Sequence, residues 1–93
     1  MANEALMGQI KSIPIGTKIT VTKKDIFGKP FNIQCRLMDE VRQNGYRNKY
    51  GSWGKYQLDG YEPCYAFMAR QKGCSSTNIF LRVDDIQSVV TGW

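Results

Sequence analysis

Two stretches of the chain alternate strictly between apolar and polar positions. In TKITVTKK, residues 17–24, Ile19 and Val21 share a face with Thr17, while Lys18, Thr20 and Thr22 take the other. In residues 31–37, Phe31, Ile33, Cys35 and Leu37 alternate with Asn32, Gln34 and Arg36. Successive strand side chains point to opposite faces, so a period of two marks a strand with one buried side. Between them lies DIFGKP, whose Gly28 and Pro30 mark a turn. The pattern predicts an antiparallel hairpin with the Phe31, Ile33, Cys35 and Leu37 side inward.

The remaining pattern is less regular. Residues 2–12 predict a short helix: Asn3 can cap it, Glu4 suits its first turn, and Leu6 and Ile10 form a narrow apolar stripe. Pro14 and Gly16 end it. Residues 64–70, CYAFMAR, predict a third strand that is apolar on both faces. Lys72, Gly73, Ser75 and Ser76 make a turn, and residues 78–83 a fourth strand. Asp84 and Asp85 read as a single helical step before a fifth strand, residues 86–91, with Val89 and Val90 to bury. Residues 42–62 hold four Gly, four Tyr and one Trp but almost no aliphatics, which reads as a long loop. Part of it, residues 55–58, is expected to pair with a neighbouring strand.

These elements predict one mostly β domain over residues 1–93, with a short N-terminal helix and five short antiparallel strands. The closing pattern FLRVDDIQSVV, strand, short turn, strand, resembles the SH3-like and Sm-like small barrels. The resemblance is topological and spans residues 17–91. It implies that the helix caps one open end of a barrel. An OB-like barrel is the runner-up, and it lacks its customary helix between the third and fourth strands.

Composition narrows the function. The chain has 93 residues and a net charge of +5, and it contains no His. That removes the commonest general base, the commonest metal ligand and every Ser-His or Cys-His nucleophile pair. No apolar run is long enough to cross a membrane as a helix, and no leader pattern is seen at the start. Cys35, Cys64 and Cys74 are an odd set with wide spacing, so reduced thiols in a cytoplasmic chain are expected, each a small buried hydrophobe. No metal, cofactor or catalytic residue is expected. The acids form three pairs, Asp39 with Glu40, Asp59 with Glu62, and Asp84 with Asp85. Adjacent strand residues point to opposite faces, which works against Asp39 and Glu40 as a joint metal site. Asp84 with Asp85 fits a turn, so a metal nuclease is not expected.

The strongest constellation lies in the aromatic stretch. Arg42, Arg47, Lys49 and Lys55 are interleaved with Tyr46, Tyr50, Trp53 and Tyr56, and no acid falls between Val41 and Leu58, which makes the stretch locally +4. Basic groups neutralise phosphates and release counterions. Aromatic faces stack on unpaired bases, worth about 1–3 kcal/mol per base. A secondary basic stripe is expected from Lys18, Lys23, Lys24 and Arg36 on the first hairpin, with Lys29 nearby. Edge-strand protection is the competing use of such lysines. The sequence therefore reads as a small, basic, non-enzymatic binding module for nucleic acid, single strands favoured. The alternative is a protein-interaction module, such as a phage or mobile-element inhibitor of a host defence protein, docking on an acidic protein surface. A third reading is a nucleotide-ligand binder acting as a homo-oligomer, assembled through an edge strand or through Trp93. Trp93 itself is expected to pack on the body of the protein.

Overall fold

The two alternating stretches pair as the pattern requires. In the computed structural model, which describes residues 4–74 and 76–93, β1 (Lys18–Lys24) and β2 (Pro30–Leu37) form an antiparallel hairpin. Ile19 lies opposite Cys35 and Val21 opposite Ile33. The Asp25 carboxylate closes the turn by accepting the backbone N–H of Phe27 and of Lys29, at 2.9 and 2.8 Å. The inward face is shorter than expected. Cys35 and Leu37 are buried, Ile33 is half-buried, and Phe31 is exposed because this end of the hairpin projects past the core.

The 42–62 segment differs most from its expected form. It is a hairpin rather than a loop: β3 (Arg42–Asn48) pairs with β4 (Trp53–Gly54), and β3 also pairs along β5 (Tyr61–Gln71). Asn48 closes the turn, its side-chain oxygen accepting the N–H of Tyr50 and Ser52 at 3.0 and 2.9 Å. The pairing expected at residues 55–58 occurs instead at residues 53–54. No residue of β3 is fully buried, so the strand carries no period-two apolar signal. Backbone pairing to β5 specifies it.

β6 (Asn78–Arg82), a 3-10 turn (Val83–Asp85) and β7 (Ile86–Thr91) complete the chain. The helical step at Asp84 and Asp85 stands where it was expected. Val89 is buried, but Val90 points outward, as a period of two demands. Among the described residues seven antiparallel strands therefore replace the expected five, in the order β4-β3-β5-β2-β1-β7, with β6 on β5, and their sheet does not close. β2 and β3 occupy successive lengths of one edge of β5, joined where the Met38 N–H donates to the Met68 carbonyl at 3.0 Å. β6 takes the other edge.

The helix α1 (Glu4–Lys11) lies beside β7, with Leu6 and Ile10 in the core and the Gln9 amide donating to the Val89 carbonyl. It is too short to persist alone. The capping role expected of Asn3 and the turn position of Ser75 lie outside the described residues. One apolar cluster joins Leu6, Ile10, Ile19, Val21, Leu37, Phe67, Leu81, Val83 and Val89, among others. Phe67 is its largest fully buried side chain, and a buried Phe contributes about 3–5 kcal/mol relative to Ala. Among the described residues no helix is long and apolar enough to cross a membrane.

Cys35 and Cys64 are buried as expected, whereas Cys74 is exposed. Burial pushes the Cys35 thiol from its ordinary 9.0 up to about 11. Burial also raises Cys64, with the Asp84 carboxylate adding to the shift. The folded chain therefore holds the Cys35 proton where the unfolded chain releases it, so stability falls as pH rises from about 9 to about 11. Urea denaturation across that interval should show this decline, and Cys35→Ala should flatten it relative to the wild type.

Candidate nucleic-acid interface

Folding disperses the charge of the aromatic stretch. Arg42, at the start of β3, is held by Asp39 at 3.2 Å. Arg47 reaches across to the 3-10 turn and meets Asp85 at 3.4 Å and Asp84 at 3.9 Å. The acidic pair thus lies against the very stretch whose sequence contains no acid. Lys49 sits over its neighbour Tyr50, 5.1 Å from the ring centroid. Tyr46 is half-buried opposite Gly54, while Lys55 and Tyr56 are exposed beyond β4.

Trp53 is tied into the hairpin. Its indole N–H donates to the Asn44 carbonyl at 2.8 Å. Its ring covers Gly45, where an added Cβ would stand 2.5 Å from ring carbons. Gly45 lies at the irregularity in the β3–β5 register, with φ +72°. Both features exclude a side chain there. The residues expected to form one aromatic and basic loop are therefore a hairpin, with two of its four cations held by carboxylates.

The opposite end of β5 carries a different arrangement. Lys18 lies across from Arg36, Arg36 across from Arg70, and Arg70 across from Asn78. Directly opposed residues of an antiparallel pair share a face. These four make a row across β1, β2, β5 and β6. The Arg70 Nε–H donates to the Asn78 side-chain oxygen at 3.1 Å, and Arg36 donates to the Gly16 carbonyl at 2.6 Å. Among the described residues, none of Lys18, Arg36, Arg70 and Lys72 is ion-paired to a carboxylate.

Trp93 completes this surface. The Gly92 N–H donates to the Lys18 carbonyl at 2.7 Å and brings the chain end over β1. The Trp93 indole N–H is shared between the carbonyls of Ile19 and Cys35, at 2.9 and 3.0 Å. Trp93 as a whole remains 42% exposed. The ammonium groups of Lys18 and Lys72 stand 4.8 and 5.4 Å from its centroid. Arg36, Arg70, Gln71, Lys72, Gly73, Cys74 and Trp93 line an open cleft of about 260 Å³.

The secondary stripe divides. Lys18 and Arg36 join this row. Lys23 and Lys24 lie toward the other end of β1, opposite Phe31 and Pro30, and share a groove with Asp84 and Asp85. Lys29 lies in the β1–β2 turn. Sequence reasoning missed Arg70, Lys72 and Trp93 as partners of Lys18 and Arg36. The available signal was parity: Arg70 belongs to the 64, 66, 68 set of its strand, the side away from Phe67. Four cations around an exposed indole can hold a phosphate while the ring accepts a planar group. No family model, curated protein or solved structure matches this chain.

The hairpin geometry makes one prediction. Gly45→Ala should cost about 1–3 kcal/mol, from the positive φ and the displaced Trp53 ring. Urea denaturation should read the loss, accompanied by a shift in Trp53 emission in a Trp93→Phe background.

Proposed function

We propose that the protein is a non-enzymatic module that binds single-stranded nucleic acid across the Lys18, Arg36 and Arg70 row, with Trp93 as the stacking platform. The observation that carries the reading is the row itself: register-aligned cations, free of carboxylate partners among the described residues, beside an exposed indole. Phosphates neutralise cations at such a surface with release of counterions. An unpaired base can lie on the Trp93 ring, whereas a paired base is already stacked within its duplex. Stacking displaces one of the flanking ammonium groups, which is then free to meet the adjoining phosphate. The 42–56 hairpin is secondary in this reading, because Arg42 and Arg47 already have anionic partners.

The fold is consistent with this use. The connectivity of β1, the β2 and β3 pair, β5, β6, the 3-10 turn and β7 returning to β1 supports a small-barrel plan of the SH3-like or Sm-like kind, here left open. A cytoplasmic setting with reduced thiols belongs to the same proposal.

A second reading, docking of a protein partner, has its own observation. Ile26 and Phe27 stand 93% and 81% exposed at the hydrogen-bonded tip of the β1–β2 hairpin. Two apolar side chains on an ordered protrusion suit an apolar pocket on another protein.

Fluorescence anisotropy with labelled single-stranded and duplex oligonucleotides tests the first reading. Single strands should bind more tightly. The logarithm of affinity should fall with the logarithm of salt with a slope of about −3, as four phosphate contacts require. Trp93→Ala and Arg70→Ala should each weaken binding by about tenfold, and Arg47→Ala by less than about threefold. Absence of binding at low salt would overturn the proposal and favour the protein-docking surface.

A further inference from the structure

We propose that Phe80 is a second base-stacking position, and that a single strand crosses the sheet from Trp93 to Phe80 over the arginines between them. This rests on the nucleic-acid reading given above and extends it to a residue that the sequence pattern assigned only to a strand.

The register carries the argument. On β5, Arg70, Met68 and Ala66 share one face by parity. Across the β5–β6 pair, Arg70 faces Asn78, Met68 faces Phe80, and Ala66 faces Arg82. Phe80 therefore stands on the same face as the Arg36 and Arg70 row, one row further along the strand, about 7 Å away. Its neighbour Leu81 points the other way and is buried in the core. Phe80 is 60% exposed, although burying it inside the sheet would have removed a large apolar area from water. Its flanks along β6 are Asn78 and Arg82, both exposed.

The charge around it fits a polyanion that alternates phosphate and base. Arg36 and Arg70 lie between the two aromatic rings, and Arg82 lies beyond Phe80. None of the three is ion-paired to a carboxylate among the described residues. Asp39 and Glu40, with Arg42 holding Asp39, line a cleft of about 140 Å³ beside Phe80 and Met68. Those carboxylates oppose a phosphate and accept hydrogen bonds from the amino edge of a base. The position therefore suits a base, with the phosphates falling on the arginines at either side. The Trp93 indole is fixed over β1 and β2, and Phe80 stands on β6. At about 4.8 Å per strand, the two rings lie on the order of 12 Å apart across the sheet. That span needs a strand longer than a dinucleotide.

The test is a binding series with oligodeoxycytidylates, from the dinucleotide to the decamer, on wild type, Phe80→Ala, Phe80→Leu, Phe80→Tyr and Trp93→Ala. Phe80→Leu keeps apolar bulk and removes the ring, so it separates stacking from folding, and unchanged thermal midpoints establish that each variant is folded. For the longer oligomers, Phe80→Ala and Phe80→Leu should weaken binding by about tenfold, and Phe80→Tyr should restore it. For the dinucleotide, which reaches only one ring, wild type and the Phe80 variants should differ by less than about twofold. If wild type binds no oligomer, the nucleic-acid reading fails as a whole. If wild type binds and Trp93→Ala weakens it, while the Phe80 variants match wild type at every length, the second stacking position alone is overturned.

Discussion

The alignment of Arg36, Arg70 and Phe80 on the outer surface depends on the register of β5. Phe67 is buried on the inner face, and with it the parity of the whole strand is set. Ala69 follows it inward, while Met68 and Arg70 are left on the opposite side. Because β5 is paired on both edges, that parity is transmitted to β2 on one side and β6 on the other. A slip of one residue would exchange the arginines for core residues. Burial of one aromatic ring thus aligns cations that lie far apart in sequence.

Folding changes the electrostatics more than it changes the total charge. The acid-free stretch between Val41 and Leu58 is locally +4 against a net +5 for the chain, so sequence alone points to it. The 3-10 turn then carries Asp84 and Asp85 to Arg47, and Asp39 meets Arg42. Such partly exposed pairs add little to stability, of the order of 0–1 kcal/mol each. Their larger effect is on the local field, since they lower the positive potential of the hairpin. Among the described residues the row from Lys18 to Arg70 has no such compensation, and its position beside Trp93 joins charge to an aromatic face.

The sequence made the local elements legible where burial imposes a period. The β1–β2 hairpin stands as its pattern required, because β1 and the end of β2 bury alternate residues against the core. The 3-10 step and β7 stand where expected, anchored by Val83, Ile86 and Val89. The 42–62 segment was illegible for the same physical reason: β3 buries no side chain fully, so backbone hydrogen bonds and the Trp53 contact with Gly45 define it without leaving a hydrophobic pattern. The candidate site was legible only in part. Lys18 and Arg36 were readable as outward residues of one hairpin. Their alignment with Arg70 and with Phe80 is a matter of long-range register, which no local window contains. Trp93 was expected to pack on the body, and it does so through its N–H while the residue stays partly exposed, with Lys18 and Lys72 over its ring.

The most direct test of the proposed interface is a two-dimensional 15N–1H titration of the protein with a short single-stranded oligonucleotide, following both indole N–H signals. The account predicts that the Trp93 indole and the amides of β2, β5 and β6 around Arg36, Arg70 and Phe80 shift together and saturably. The Trp53 indole should move little. Shifts confined to Trp53 and the β3–β4 hairpin, with Trp93 unmoved, would contradict it.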